Sequence, residues 1–369
     1  MAEDYIYTKN MAVGYDKIPL IEEIEIHVKR GEIVTLIGPN GSGKSTILKS
    51  MIRQLGLIGG TVYLDGQPMK DMAEKQIAKK LSILMTERVH PELMTCRDVV
   101  GTGRYPYTGR MGILSEEDKK KVEEALELVH GQELAGKDFA QASDGQKQRI
   151  LLARAICQEP EAIVLDEPTS FLDIRHKLEL LSILKNLVLE KKVAVLMSLH
   201  ELDLAQKISD YIICVNKNSI ERCGAPEEIF QSDYIATLYG MTKGSYQAEL
   251  GCLEMERADG KPEVFVIGGN GSGIPVYRKL QRKGIAFAAG ILHENDIDYP
   301  VAKALAAEVV SEKPFEVIGE DTFKRAAAVL DSCAHMICCL SEFGTANEKN
   351  GELARLGADK MIDSMDSVW

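Results

Sequence analysis

The chain has 369 residues, and 44 Lys and Arg against 56 Asp and Glu leave a formal charge of −12. Roughly 100–200 residues per domain predicts two domains, or one large domain with an appendage. A hydrophobic fraction of 45% with 27% charged residues is the balance of a folded chain rather than a disordered one. The acidic excess argues against a nucleic-acid partner, which needs a basic footprint. No stretch approaches the ~18 consecutive apolar residues of a membrane-crossing helix. The opening MAEDYIYTKN lacks the basic-then-apolar order of a secretory signal. A membrane role would therefore come through a partner chain.

In chain order, residues 22–28 (EEIEIHV) alternate polar and apolar, which predicts a half-buried strand. Residues 33–37 read as a buried strand running into a glycine loop, and TVYLDG at 61–66 as part of a hairpin. Residues 115–130 are amphipathic, with Ser115 and Asp118 at the expected helix start. AIVLDE at 162–167 and VAVLMSLH at 193–200 are short apolar β runs. The stretch 241–262 loosens into a connector. A second rhythm follows: VFVIGGNGSG, a helix near 275–283, IAFAAGIL, a helix at about 300–310, a strand near EVI at 316–318, a helix at 321–332 and the strand MICCL. Strands alternating with helices predict mostly parallel sheets, and the boundary is expected near 255, giving domains 1–255 and 256–369. The cysteines 96, 157, 214, 223, 252, 333, 338 and 339 form no Cys-x-x-Cys pair and read as reduced, packed thiols.

Gly38-Pro39-Asn40-Gly41-Ser42-Gly43-Lys44-Ser45 satisfies G-x-x-x-x-G-K-[ST] between a predicted strand and a predicted helix that opens with Thr46. Glycines let several backbone N–H groups converge on one phosphate, and the helix N-terminus adds partial positive charge. Lys44 can reach the β- and γ-phosphates and Ser45 can ligate magnesium, so the motif predicts a nucleoside triphosphate site. At the end of its apolar strand, Asp166 is placed to hold the same magnesium, and Glu167 to orient or deprotonate the attacking water. Upstream, Gln141-Ala142-Ser143-Asp144-Gly145-Gln146 opens a second helix.

In this order the motifs resemble the ATP-binding cassette (ABC) ATPases over about residues 4–240. The matching features are Tyr15, GPNGSGKS, a glutamine-loop region at Thr86, ASDGQ, AIVLDE, Phe171-Leu172-Asp173 and His200. The resemblance implies an α/β fold: a P-loop ABC ATPase domain followed by a smaller Rossmann-like α/β domain. It implies ATP and Mg2+ as cofactors, Tyr15 against the adenine, and His200 at the γ-phosphate. It also implies that two copies sandwich two ATP molecules, each between one P-loop and the partner's Ser143, Asp144, Gly145 and Gln146, with Asp173 coupling the two sites. The chain departs from the family pattern at Ala142 and Asp144, where the signature usually has Leu and Gly. It departs also at the glutamine loop, where Thr86 takes the glutamine's place and Glu87 follows.

Gly103-Arg104-Tyr105-Pro106-Tyr107 and GAPEEIF at 224–230 are similar to segments of the iron–siderophore, haem and cobalamin importers. That resemblance implies two membrane permease subunits as partners, a substrate-binding protein met only indirectly, no nucleic acid, and a peripheral position on the cytoplasmic face of the membrane. The alternative is a soluble ABC ATPase of DNA repair or translation. In the tail, Gly268-Gly269-Asn270-Gly271-Ser272-Gly273 follows a strand and precedes a helix, but no Lys-Ser pair follows it. Ile274 stands where a strict G-x-G-x-x-G needs glycine, while Glu294, Asp296 and Asp298 lie at the rough distance of a ribose-binding acid. Ligand binding and a tight structural turn both remain open there.

Overall fold

In the computed structural model, which describes residues 4–85, 93–109 and 112–362, the run Ile33–Ile37 is a strand with all five residues buried. Strands with two buried faces read as unbroken apolar runs, and this one lies inside a six-stranded sheet. Its order is Ser219–Gly224, Tyr211–Asn216, Ile33–Ile37, Ala194–Ser198, Ala162–Asp166, Leu81–Leu84. All neighbours are parallel except the terminal hairpin of Tyr211–Asn216 with Ser219–Gly224. The P-loop strand, the Asp166 strand and the strand leading to His200 are thus brought side by side.

Facing it is an antiparallel sheet that the alternation of strands and helices does not anticipate, in the order Ile18–Ile24, Asp4–Tyr15, Gly59–Leu64, Gln67–Pro68, with His27–Lys29 also on Asp4–Tyr15. The expected strand at 22–28 is split between two of its members. Ile6, Val13, Ile26, Val34, Leu36, Ile47, Leu48 and Val164 share one core, which buries one face of the helix Lys44–Met51. Three helices, Cys96–Gly101, Glu116–Leu128 and Asp144–Cys157, pack together as a separate helical part. Each opens on a reciprocal cap, Thr95 with Asp98, Ser115 with Asp118 and Ser143 with Gln146.

The contacts divide the chain into two units, Met1–Phe230 and Gln231–Trp369. This moves the expected boundary from 255 to 230. The helix Ser232–Leu238 and the hairpin Ser245–Gln247/Cys252–Glu254 pack with the second unit, where Leu250 joins its core and Arg278 Nε donates to Glu254 at 3.1 Å. The second unit is a parallel four-stranded sheet, ordered Glu308–Glu312, Phe287–His293, Val264–Ile267, His335–Cys338. Helices cover both faces: Tyr277, Leu280, Val301 and Leu305 on one, Ala326, Leu330 and Leu353 on the other. The strand expected at 316–318 is instead Glu308–Glu312, and the preceding helix Asp298–Leu305 stops short of 310. Val309 and Val310 suit a strand, and Ala289 and His293 provide register partners for Val309 and Glu312. Among the described residues no helix is long and apolar enough to cross a membrane.

Candidate active site

The loop between Ile33–Ile37 and Lys44–Met51 depends on glycine. Gly38, Gly41 and Gly43 have φ of 145°, 77° and 104°, and a Cβ on Gly38 would stand 2.0 Å from the Val215 carbonyl oxygen. The turn closes with the Ser42 amide donating to the Pro39 carbonyl at 3.2 Å across Asn40 and Gly41. Lys44 is buried, and its ammonium donates to the carbonyls of Gly38 (2.7 Å) and Pro39 (3.0 Å). Burial lowers its pKa, opposed by the carboxylates of Glu167 and Asp166. The Ser42 hydroxyl is buried with no partner. A buried lysine facing two acids, an unpaired hydroxyl and a glycine-shaped cradle fit a polyphosphate. Tyr15 is half-exposed beside this loop, its hydroxyl 3.1 Å from that of Thr46.

Asp166 is where two strands and the start of the helix Lys44–Met51 meet. Ser45 Oγ donates to Asp166 Oδ1 at 3.1 Å and Ser198 Oγ donates to the same oxygen at 2.7 Å. Ser45 with Asp166 fits Mg2+, a hard cation that takes few protein ligands and fills its shell with phosphate oxygens and water. No group of three His, Cys, Asp or Glu suited to a metal occurs among the described residues. Glu167 adopts φ of 49°, donates its amide to Ser198 Oγ at 2.9 Å, accepts from Ser170 Oγ at 3.2 Å and pairs through Oε1 with His200 Nε2. Beyond His200, Glu201 accepts from Thr169 Oγ1 at 2.8 Å and pairs with Lys177. Burial opposes ionisation of Glu201, but these bonds hold its pKa low.

Tyr15, Lys44, Ser45, Thr46, Asp166, Glu167 and His200 are therefore gathered in one place. Asp173 and the signature residues stand on other elements and satisfy local caps. Asp173 accepts from the His176 amide at 2.9 Å, which also lowers its pKa. The exposed Ser143 and Asp144 and half-buried Gly145 and Gln146 open the helix Asp144–Cys157, with Lys137 Nζ on Gln146 Oε1 at 3.0 Å. Thr86 and Glu87 lie outside the described residues. Motif reading missed Ser198; its only signal was a polar residue closing an apolar strand two positions before His200.

Arg104, in the GRYPY segment, is buried rather than displayed. It donates to Asp118 Oδ1 (2.9 Å), the Cys157 carbonyl (2.8 Å) and Glu159 Oε2 (2.9 Å), and stacks 4.0 Å over the Tyr107 ring. Tyr105 is exposed, beside a cavity of about 400 Å³ lined by Arg53, Ile77, Leu81, Ile83, Pro106 and Arg154 among others.

In the second unit, two of the three acids expected to meet a ribose, Asp296 and Asp298, turn onto the glycine loop itself, while Glu294 accepts from Ser311 Oγ at 3.4 Å. Asp296 accepts the Asn270 amide at 3.0 and 3.1 Å, and buried Asp298 accepts the Gly273 amide at 2.9 Å. Two amides that a phosphate would use are held by the chain's own carboxylates. Ser272 Oγ donates to the Gly269 carbonyl at 2.7 Å, and Gly271 takes φ of 83°. A Cβ on Gly268 or Gly273 would meet the Tyr277 hydroxyl at 2.5 and 2.4 Å. Here glycine makes room for a core tyrosine.

Comparison with known proteins now decides the family. Residues 21–170 match the ABC transporter family and residues 287–364 the MJ0874 family. An uncharacterised ABC transporter ATP-binding protein of Methanocaldococcus jannaschii is 40% identical over 286 residues, 77% of this chain and 99% of that one. The chain belongs to the ABC transporter ATP-binding proteins. The iron(3+)-hydroxamate import ATP-binding protein FhuC of Bacillus subtilis is 37% identical, covering 63% of this chain and 86% of its own. The cobalamin import ATP-binding protein BtuD of Halobacterium salinarum is 29% identical over 322 residues, covering 85% of this chain and 80% of its own. Among solved structures, a dimeric post-hydrolysis ATP-binding cassette bound to ADP and Pi is 27% identical, with TM-score 0.54 over 60% of this chain and 98% of that one. This cassette is thus a P-loop ATPase that binds ATP, and its relatives are transporter subunits, which disfavours DNA repair or translation.

Proposed function

We propose that this cassette is the ATP-hydrolysing subunit of an importer for a metal chelate, an iron–siderophore, haem or cobalamin. It would act as a homodimer on two copies of a separate permease, peripheral to the cytoplasmic face of the membrane, with a substrate-binding protein delivering the cargo to the permease. The observation that carries the chemistry is the convergence of Ser45, Asp166, Glu167 and His200 at the C-terminal ends of three adjacent parallel strands. The cargo class is supported by the importers named above. The cobalamin relative's 322-residue match is longer than the whole first unit, Met1–Phe230, so it extends into the second.

In this reading the amides of Gly38–Gly43 and the Lys44 ammonium hold the phosphates, and the Tyr15 ring stacks on the base. Ser45 and Asp166 hold Mg2+, which when bound neutralises charge on the β- and γ-phosphate oxygens. Glu167 orients the attacking water and takes its proton, while His200, bonded to Glu167, fixes that carboxylate and reaches the γ-phosphate. Ser143, Asp144, Gly145 and Gln146 would close on the ATP of the second copy, with Asp173 beside them. The exposed Tyr105 and the cavity next to it suit a permease segment.

ATP turnover of wild type and Glu167→Gln tests the assignment. A loss of about 10²–10⁴-fold is expected from removing an acid–base group, and equal rates would refute the role of Glu167. Uptake of ferric siderophores, haem and cobalamin by cells lacking the chain tests the cargo, and undiminished uptake of all three would refute it.

A further inference from the structure

Ser198 closes the strand Ala194–Ser198 and is fully buried. Parallel pairing sets it opposite Asp166, and partners in a ladder turn their side chains to the same face. Its hydroxyl has one proton and two lone pairs. The proton goes to Asp166 Oδ1 at 2.7 Å, and a lone pair accepts the Glu167 amide at 2.9 Å. One side chain thus ties the carboxylate of one residue to the backbone of the next.

That tie sits where the backbone is strained. Glu167 has φ of 49°, a left-handed conformation that a side-chain-bearing residue keeps only when its surroundings over-determine it. His200 and Ser170 hold the Glu167 carboxylate from outside, but the Ser198 bond acts on the main chain that aims it. The strand register alone places the Asp166 Cβ and leaves its carboxylate rotamer open. Ser198 closes that freedom together with Ser45.

We infer that Ser198 is a positioning residue for ATP hydrolysis, its hydroxyl locking the Asp166 carboxylate and the Glu167 backbone into one rigid unit. The inference rests on the roles assigned above to Asp166 and Glu167. Ser198 touches neither nucleotide nor water in this account. Its loss therefore falls on the chemical step and leaves Mg2+-free ATP binding, carried by the P-loop amides and Lys44, unchanged.

The experiment compares full-length wild type, Ser198→Ala, Ser198→Thr and Glu167→Gln for ATP affinity, kcat, KM and thermal midpoint. The expected result for Ser198→Ala is a kcat lower by about 10- to 100-fold, the scale of a roughly 1 Å misplacement of a reacting group. Its affinity for ATP measured without Mg2+ should hold while kcat and kcat/KM fall together, the pattern of an interaction used in the transition state. Ser198→Thr keeps a hydroxyl on the same Cβ and should regain most of the rate. Should the extra methyl prevent folding, Ser198→Cys keeps the size with a weak donor and should behave like Ser198→Ala. A Ser198→Ala enzyme at wild-type kcat beside a slow Glu167→Gln would overturn the inference while leaving Glu167 in place. Wild-type turnover in Glu167→Gln would instead remove the parent reading. Parallel loss of ATP affinity, midpoint and rate in Ser198→Ala, with full recovery in Ser198→Cys, would mark Ser198 as packing only.

Discussion

Replacing Arg104 by Met removes the guanidinium and keeps most of the aliphatic volume, which isolates the ionic part of the GRYPY anchor. Arg104 is buried, with its side chain 5% exposed and that of Asp118 10%. Deleting one partner of a buried pair costs about 3–5 kcal/mol, because the other charge stays buried and uncompensated. Two features of the site reduce that figure. Asp118 still accepts from Ser115 Oγ at 2.7 Å and its amide at 3.0 Å, and Glu159, 43% exposed, keeps Lys121 at 2.9 Å. A loss of about 2–3 kcal/mol is expected. At about 2–4 °C per kcal/mol for a unit of this size, the midpoint should fall by roughly 4–12 °C. In a double-mutant cycle with Asp118→Asn, the combined loss should be smaller than the sum by about 1–2 kcal/mol. The bonds from Ser115, and then Arg104 against the opposing effect of burial, hold the Asp118 pKa below its ordinary value. Its stabilisation is therefore present above the unfolded pKa of about 3.9 and is lost as pH falls through the lower folded value. The Arg104→Met deficit should shrink over that acid range in denaturant titrations. A variant within about 0.5 kcal/mol of wild type at pH 7, the usual scatter of a surface change, would refute the buried-pair account.

Gly38→Ala should abolish nucleotide binding, because its Cβ would lie 2.0 Å from the Val215 carbonyl oxygen at φ of 145°; retained binding of a fluorescent ATP analogue would contradict the loop geometry. Lys44→Ala should weaken ATP binding by at least about tenfold, the ~1.5–3 kcal/mol of a charge-assisted bond, with unchanged calorimetric affinity as the opposing result. In the second unit, burial is the main cause raising the Asp298 pKa, with Asp296 adding and the Gly273 amide opposing. The folded state thus favours the protonated form. Its contribution is fullest below the unfolded pKa of about 3.9 and is lost as pH rises through the folded value. Asp298→Asn keeps an acceptor for Gly273 and should flatten that part of the stability profile measured by denaturant titration. An unchanged profile would show that Asp298 does not titrate there.

Much of the site was legible because its requirements are local. Gly38–Ser45 encodes its own left-handed turns and helix start, and AIVLDE and VAVLMSLH announce two buried strands ending in chemistry. The caps at Ser115 and Ser143 are likewise short-range, and the helix Glu116–Leu128 begins where Ser115 and Asp118 place it. The strand Glu308–Glu312 was missed because AAEVV carries alanines that suit a helix, and only pairing with Phe287–His293 decides it. The boundary at Phe230 rests on Leu250 and Glu254 finding partners further down the chain.

By itself, then, the sequence determined that this chain carries a P-loop ATPase, since each motif states its own backbone geometry and side-chain chemistry within a few residues. Tertiary structure alone decided what lies across the gaps between motifs. Register between strands 32 residues apart puts Ser198 on both Asp166 and the Glu167 amide. Burial turns Arg104 inward, although Tyr105 beside it stays exposed. A turn some 25 residues downstream delivers Asp296 and Asp298 to the amides of a loop that resembles a nucleotide cradle. Hydrogen bonds between such distant residues depend on how strands pack side by side, and no local pattern records that.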